Sequence, residues 1–428
     1  MAVCCITGEL PESVEKETEV LVLSPGVPTD IPLVLRMKER GVRILGEIEL
    51  AYLAEKGTVA AVTGTNGKTT TTTLVGLMMS ASGVKTHVAG NIGPNAVTEL
   101  LKCEDAGELP DCWVLELSSF QLETTHTLDC DCAAFLNLTQ DHIDWHGSLE
   151  LYGRAKRRIF SENTIRVLNR DDAATMAAAA SGVTESFGES EPAAPGEWGL
   201  ARRDGMLWLS RIARKAAETG KGRIFREPEP QLELLMPEEA LKIRGRHNAM
   251  NALAALALTL AAGGSLAASL NVLTTYRGEA HRVQSVLTVK GREFIDDSKG
   301  TNVGATVAAL LGLGRAGTRS SIILGGDAKG QNFDPIVAAL GQYASHVVLI
   351  GRDAPMIAAA LDEAGIAYEQ CGTDFEKAVD LAYQAAREGE AVLLSPACAS
   401  WDMFSSYAER SARFVERARQ IAAKEGGE

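Results

Sequence analysis

Short, almost continuous apolar runs alternate with helix-like stretches along most of this 428-residue chain. Val20-Leu21-Val22-Leu23, Val59-Ala60-Ala61-Val62-Thr63, Trp113-Val114-Leu115-Glu116-Leu117 and Ala133-Ala134-Phe135-Leu136-Asn137-Leu138 hold few polar side chains. Strands covered on both faces need such runs, so the pattern predicts parallel sheets flanked by helices. Residues 1–52 read as one βαβ unit: Val20 to Leu23, a helix over Ile31 to Gly41, and Val42 to Leu45. From about Gly57 strands and helices alternate, with a helix expected over Leu74 to Met79. Residues 183–235 change to Gly, Pro, Glu and alternating pieces such as Met206-Leu207-Trp208-Leu209, which predicts a small antiparallel excursion with loops. Ala-rich helices follow over 248–270, broken at Gly263-Gly264. The last third predicts strands at Glu293–Asp296, Ser321–Leu324, His346–Ile350, Ala367–Gln370 and Ala391–Leu394, an open, mostly parallel α/β sheet.

A chain of this length calls for two or three domains. Its 46% hydrophobic and 23% charged residues can build large cores in a soluble protein. The net charge of −14 argues against a nucleic-acid partner, and the basic cluster Arg154, Lys156, Arg157, Arg158 reads as one helix surface. Eight cysteines spread over this length do not form a disulfide framework. Cys130 and Cys132 lack a second ligand pair at zinc-site spacing and read as buried thiols. No signal-peptide pattern opens the chain, and the run from Asn251 to Leu270 reads as a packed helix pair, not a membrane span. These features predict a protein of the reducing cytoplasm with no membrane partner.

Residues 64–70, Gly-Thr-Asn-Gly-Lys-Thr-Thr, sit between a strand and a helix. A glycine turn there leaves backbone N–H groups free for phosphate oxygens, Lys68 supplies a positive charge, and the Thr69 hydroxyl can reach a magnesium ion. The generic phosphate-loop pattern puts its first Gly where Val62 stands, so the local match is partial.

Other polar groups fall at strand ends, where open α/β sheets bind ligands. Glu116 suits a magnesium ligand or a helix cap. Asp141-His142 suits a metal ligand with its partner, or an N-cap with a packing His. Lys156, in a charged helix, reads from its surroundings as a solvated surface lysine. His281-Arg282 lies where a hinge would bring the last domain over the nucleotide, and an interdomain salt bridge is the alternative. Asp297-Ser298-Lys299, Gly325 to Lys329 and Ser395 to Ser400 share one edge of the last sheet.

Ten segments in order resemble the Mur ligases: Ser24-Pro25-Gly26, Gly64 to Thr70, Gly90-Asn91-Ile92-Gly93, Glu116 to Glu123, Asp141-His142, Tyr152 to Lys156, His247-Asn248-x-x-Asn251, His281-Arg282, Asp297 to Asn302, and Ser395 to Asp402. That family's phosphate loop also lacks the first generic glycine. The resemblance implies an α/β protein of three-domain Mur ligase architecture, with a P-loop central domain (55–278), a Rossmann-like C-terminal domain (279–428) and an incomplete Rossmann-like N-terminal domain (1–54). It implies an ATP- and Mg2+-dependent ligase of peptidoglycan precursor synthesis, and so of cell-wall growth, shape and division. Ser118 to Glu123 and Ser395 to Asp402 point to the branch that adds D-glutamate to UDP-N-acetylmuramoyl-L-alanine through an acyl phosphate, with no nucleic acid or membrane involved and a monomer expected.

Residue by residue, the resemblance implies that Gly64, Thr65, Asn66, Gly67, Lys68, Thr69 and Thr70 hold the phosphates, with Asn248, Asn251, Arg282 and Asp297 on the nucleotide. Thr69, Glu116, His142 and Lys156 would serve the metal ions, with Lys156 carbamylated, and Lys68, Glu116, His142 and Lys156 would form the catalytic group. Ser24, Gly26, Asn91 and Gln121 would contact the UDP substrate. Thr301, Lys329, Ser400 and Tyr407 would surround D-glutamate, Tyr407 standing where the family usually has Phe. Gln140 and Asp296 depart from an expected Glu and Asn. Family members carry a glycine-rich βα turn upstream of the Ser24 motif, and only 23 residues precede it here, so a truncated substrate domain is expected. A nucleotide-binding module without ligase turnover is therefore a competing expectation. A folate polyglutamate synthase is another, opposed by Ser118 to Glu123 and Ser395 to Asp402.

Overall fold

The computed structural model describes residues 5–54, 57–179, 182–214, 231–243 and 245–426. The chain opens with α1 (Glu12–Glu17), β1 (Val20–Leu23), α2 (Pro32–Glu39), β2 (Arg43–Gly46) and α3 (Glu47–Ala54). β1 and β2 pair in parallel, Val20 beside Arg43, as the βαβ pattern predicts, and Pro32 starts α2 where its missing N–H costs nothing. Two buried carboxylates fasten this unit to the next. Glu49 accepts from the backbone N–H groups of His126 (2.7 Å) and Thr127 (3.0 Å), and Glu47 accepts from Gln121 Nε2 at 2.7 Å.

The central sheet begins with β3 (Thr58–Thr63), α4 (Lys68–Ala81), β4 (Thr86–Gly90), α5 (Ala96–Ala106), β5 (Cys112–Glu116), α6 (Ser119–Glu123) and β6 (Cys132–Phe135). It continues with α7 (Ile143–His146), α8 (Leu149–Arg157), β7 (Ile165–Asn169), α9 (Ala173–Met176), β8 (Thr184–Phe187), β9 (Glu197–Arg203), β10 (Met206–Ile212) and β11 (Leu232–Pro237). The helices α10 (Arg246–Ala261) and α11 (Leu266–Thr275) follow. Among the described residues nine strands lie in the order β11-β10-β9-β8-β7-β6-β3-β5-β4. Pairing is parallel from β4 to β9 and antiparallel from β9 to β11, so the excursion expected over 183–235 is present, with residues 215–230 outside the described ones. Leu74, Val75, Met78 and Met79 of α4 and the alanine-rich α10 cover one face of the sheet. Ile48 of α3 and Leu100 and Cys103 of α5 cover the other, and this double cover is why the strand sequences are nearly all apolar.

The last unit contains β12 (Gln284–Val289), β13 (Arg292–Asp296), α12 (Val303–Arg315), β14 (Ser320–Gly325), α13 (Asp334–Tyr343) and β15 (Ala344–Ile350). It ends with α14 (Ala354–Glu363), β16 (Glu369–Gln370), α15 (Phe375–Ala385), β17 (Ala391–Leu394) and α16 (Tyr407–Glu425). Its strand order is β12-β13-β17-β14-β15-β16, parallel except for β12. The sequence pattern does not announce β12, a half-exposed edge strand paired only with β13, and β16 is shorter than predicted.

Register aligns the strand ends that carry chemistry: Glu116 of β5 pairs with Val62 of β3 on one side and Gly90 of β4 on the other. Gly90 has φ 106°, and a Cβ there would lie 2.4 Å from the Glu116 carbonyl oxygen. Gly90→Ala is therefore expected to lower stability by about 2 kcal/mol or more, read as a lower urea midpoint. An unchanged midpoint would mean that this close approach is not needed.

Candidate active site

The turn from β3 into α4 is built for an anion. Gly64 (φ 154°) and Gly67 (φ 82°) take backbone angles that other residues avoid, and a Cβ on Gly67 would meet Asn251 Oδ1 at 2.3 Å. No side chain caps α4, which leaves its first-turn N–H groups to a ligand. The loop is held from the end of β6. Asn66 N donates to Asn137 Oδ1 (2.8 Å), Asn137 Nδ2 donates to Asn66 O (3.0 Å), and Thr139 N donates to Thr65 Oγ1 (3.0 Å). The sequence reading placed Asn137 in a strand and gave it no role.

Two amines converge on one carbonyl. Lys68 Nζ donates to Gly64 O (3.0 Å) and Thr65 O (2.9 Å), and Lys156 Nζ donates to the same Gly64 O at 2.7 Å. Lys156 is 1% exposed and its amine stands 4.5 Å from the Tyr152 ring centre, so the surface reading of this lysine fails. The α8 sequence folds one face inward with Tyr152, Gly153, Ala155 and Lys156, while Leu149 and Leu151 face out. Burial, then the neighbouring Lys68, push the Lys156 amine well below the usual lysine range. Burial lowers Lys68 as well, against the pull of Glu116 and Asp141.

Glu116 is buried. Its Oε1 accepts from Asn91 Nδ2 at 2.7 Å, and its Oε2 has no partner. His142 has φ 53°, and burial brings its imidazole down to about 4, so it is neutral at pH 7. Asp141 does not cap α7, whose N-cap His142 shows no side-chain bond. Asp141 is instead the partner of Lys329, whose Nζ donates to Oδ1 at 2.6 Å.

That ion pair joins the last unit to the central one, and further bonds cross beside it. Asn302 Nδ2 donates to Asp141 Oδ2 (3.2 Å) and Asn66 Oδ1 (3.1 Å), and Arg282 Nη2 donates to Thr69 Oγ1 at 3.1 Å. A cleft of about 750 Å3 lies between the units, lined by Asn66, Gly67, Thr70, Asn248, Asn251, Arg282 and Asp297. Asn251 Nδ2 donates to Asn248 Oδ1 at 3.2 Å. Asp297 accepts from Ser395 Oγ (2.6 Å), and burial pushes its carboxyl up to about 7.

The remaining expected residues divide. Gly26 O accepts from Trp145 Nε1 at 3.2 Å, so the Ser24-Pro25-Gly26 turn reaches the catalytic wall through a tryptophan that the sequence reading missed. Gln121 is buried and engaged: its Oε1 accepts from Ser118 N (2.9 Å) and Oγ (3.0 Å), and its Nε2 donates to Glu47. Ser400 is buried, Thr301 N donates to Lys299 O at 3.0 Å, and Tyr407 starts α16 with Lys299 Nζ 5.5 Å from its ring centre. Of the amino-acid set, Lys329 reaches the central unit, through Asp141.

The chain is similar to known proteins over most of its length. The family model described as Mur ligase middle domain matches residues 62–259, and that described as Mur ligase, glutamate ligase domain matches 281–398. The UDP-N-acetylmuramoylalanine--D-glutamate ligase of Paraburkholderia phymatum is 48% identical, over 98% of this chain and 87% of its own length. The protein of the same name from Ralstonia nicotianae is 49% identical, over 98% and 88%. Among solved structures, MurF ligase from Thermotoga maritima in complex with ADP covers 96% of each chain at 17% identity and a TM-score of 0.60. A bifunctional folylpolyglutamate synthase/dihydrofolate synthase from Yersinia pestis, complexed with AMPPNP and Mn, shares the fold at 17% identity and a TM-score of 0.59, covering 86% of this chain and 92% of its own.

Three imidazoles, those of buried His146 and of half-buried His142 and His247, are each lowered to about 4 by loss of hydration. Unfolded, they titrate near 6.5, so between about pH 6.5 and 4 the unfolded chain binds more protons than the folded one. Their contribution is present above pH 6.5 and is lost as pH falls through 4. Urea midpoints measured from pH 7.5 to 4.5 should drop over that window, and His146→Gln should flatten the drop. An identical slope in the variant would show that His146 titrates normally in the folded protein.

Proposed function

The chain belongs to the Mur ligase family, and on that premise we propose that Lys68, Glu116, His142 and Lys156 surround the phosphoryl group in transfer. The protein is an ATP-dependent ligase that joins D-glutamate to UDP-N-acetylmuramoyl-L-alanine in the making of peptidoglycan precursors. The observation that carries the reading is the meeting of Lys68 and Lys156 at Gly64 O, beside a carboxylate with an unpartnered oxygen.

The reaction has two steps. A carboxylate oxygen of the UDP substrate attacks the γ-phosphorus of ATP and ADP leaves, giving an acyl phosphate. The amine of D-glutamate then attacks the acyl carbon, phosphate leaves from the tetrahedral intermediate, and the nitrogen loses its proton. The first step turns a poor acylating agent into a good one. Backbone N–H groups of the glycine loop and Lys68 bind the phosphate oxygens, and Arg282 holds Thr69 from the far side of the cleft. The UDP end of the substrate falls to the Ser24 and Asn91 turns, and the amino acid to the last unit near Thr301, Ser400 and Tyr407.

The residues present fit a hard divalent cation such as Mg2+. Glu116 Oε2 is a buried oxygen without a partner, His142 is neutral, and the Thr69 hydroxyl is close by in sequence to Lys68. Such an ion would draw charge from the phosphoryl oxygens. An unprotonated Lys156 amine is the form that adds CO2: the N–C bond forms, a proton leaves, and the product is an anionic carbamate able to share the cation with Glu116 and His142. The same reading takes residues 1–54, 55–278 and 279–428 as substrate, ATP and amino-acid domains. It has the enzyme act as a cytoplasmic monomer; among the described residues no helix is long and apolar enough to cross a membrane.

Phosphate release with MgATP and UDP-N-acetylmuramoyl-L-alanine should depend on D-glutamate and yield the amide by mass. ATP binding without release would leave only a nucleotide-binding module. Lys68→Ala should lower turnover about 100-fold or more by removing a phosphate counter-charge. Lys156→Ala should be inactive but recover in part with added short carboxylic acids, and full activity without them would remove Lys156 from the metal site.

A further inference from the structure

We propose a second cation site, for a borderline-soft divalent ion of the Zn2+ class, formed by His87, Glu99 and Cys103 at the β4 edge of the central sheet. It shares no residue with the phosphoryl-transfer site. Glu99 and Cys103 are one turn apart on α5, and both face His87 on the strand that α5 packs beside. His87 Nδ1 lies 2.8 Å from Glu99 Oε1 and 3.6 Å from Cys103 Sγ, and the three donor atoms are all within 4.8 Å of one another. Among the described residues no other group of three His, Cys, Asp or Glu side chains gathers its donor atoms this closely.

The spacing suits the ion. Tetrahedral zinc, at about 2.05 Å from nitrogen and 2.3 Å from sulfur, holds those two ligands about 3.6 Å apart. The nitrogen–oxygen pair needs about 3.3 Å, so the carboxylate must open by roughly half an ångström from its hydrogen bond to His87. A nitrogen, an oxygen and a sulfur donor together select Zn2+ or Co2+ over Mg2+ or Ca2+. The site is closed on the core side by buried Cys103, while the His87 and Glu99 side chains are 30% and 15% exposed and leave the fourth position to water. Around it, Lys102 Nζ stands 3.5 Å from the other Glu99 oxygen, and the Trp113 ring lies 5.9 Å from the imidazole. On binding, the metal sheds hydration water, its bonds to nitrogen, oxygen and sulfur form, and the Cys103 thiol proton passes to solvent.

The position gives the ion a consequence. β4 ends at Gly90 and α5 begins at Ala96, and between them runs the turn whose Asn91 amide donates to Glu116. An ion joining His87 to Glu99 and Cys103 ties both flanks of that turn together, and so restrains a residue that touches the catalytic carboxylate.

The test is titration of the full chain, stripped of metal, with Co2+. One equivalent should produce a near-ultraviolet thiolate-to-cobalt band that Zn2+ abolishes by displacement. The phosphoryl-transfer residues include no thiol, so they cannot supply this band. Cys103→Ser should lose the band, and His87→Gln, at a partly exposed position, should weaken Co2+ binding at least about tenfold. Both variants should keep Mg2+-dependent turnover in buffer free of Co2+ and Zn2+, which shows that they fold. Absence of the band in the parent protein, or its survival in Cys103→Ser, overturns the proposal.

Discussion

Everything in the catalytic wall is arranged around one backbone carbonyl, that of Gly64, which accepts hydrogen bonds from both Lys68 and Lys156. Two buried ammonium groups sharing one neutral acceptor would repel each other with little water to screen them. Burial answers the conflict by lowering both amines, Lys156 furthest because Lys68 adds to the effect, while Glu116 and Asp141 pull both the other way. The geometry demands a fixed loop, and the paired hydrogen bonds between Asn66 and Asn137 supply it. It also demands that α8 turn a lysine inward, where its amine stands 4.5 Å from the Tyr152 ring centre. A triphosphate and a divalent ion then bring the opposite charges that this prearranged but incomplete set requires.

The contacts that bring the last unit over the loop come from a backbone under strain. His281, Val283 and Lys329 have φ of 65°, 43° and 51°, and the region is poor for any side chain and worst for the β-branched Val283. Val283 is held there by its N–H, which donates to Asp297 Oδ1 at 3.2 Å, and Lys329 by its N–H to Asp327 Oδ1 at 3.1 Å. Such positions persist where surrounding bonds over-determine them. Here they set the directions of Arg282 toward Thr69 and of Lys329 toward Asp141, both bonds between units. Strained backbone at His281, Val283 and Lys329 and bonding across the cleft therefore occur together.

Much of this was legible in the sequence because buried parallel strands and glycine turns leave local signatures. The runs at Val59 to Thr63 and Trp113 to Leu117, and the glycines at 64 and 67, mark the sheet and the phosphate loop without any knowledge of tertiary contacts. Lys156 could not be found that way. Its helix is charged, and only the packing of α8 reveals that the lysine lies on the inward face; the family resemblance supplied what periodicity did not. Asn137 and Trp145 escaped for a related reason, since their partners at Asn66 and Gly26 are 71 and 119 residues away in the chain. β12 escaped because an edge strand with one half-exposed face has no continuous apolar run. Gln121, which the resemblance places at the substrate, also engages its amide with Ser118 and Glu47, a role its sequence neighbours do not announce.

That engagement gives the substrate side of the site its rigidity. Gln121 closes a capping box at the start of α6, and on the same short helix Ser119 Oγ pairs with His146 Nε2 at 2.9 Å while Phe120 stacks on the His146 ring. Phe120 also meets Trp145 and His142 edge-on, at 5.0 and 4.8 Å, and His142 meets Tyr152, the ring beneath Lys156. Ring-to-ring contact thus runs unbroken from the Gly26 carbonyl, through Trp145 and Phe120, to the amine at Gly64. Close-packed aromatic groups have few alternative arrangements, so a shift at the Ser24-Pro25-Gly26 turn must be taken up along the whole stack. The wall around the Ser24-Pro25-Gly26 turn and the wall around Lys156 are one packed body. On the proposed reading, substrate held at the first would be held in register with the second, as positional catalysis in an acyl-phosphate ligase requires.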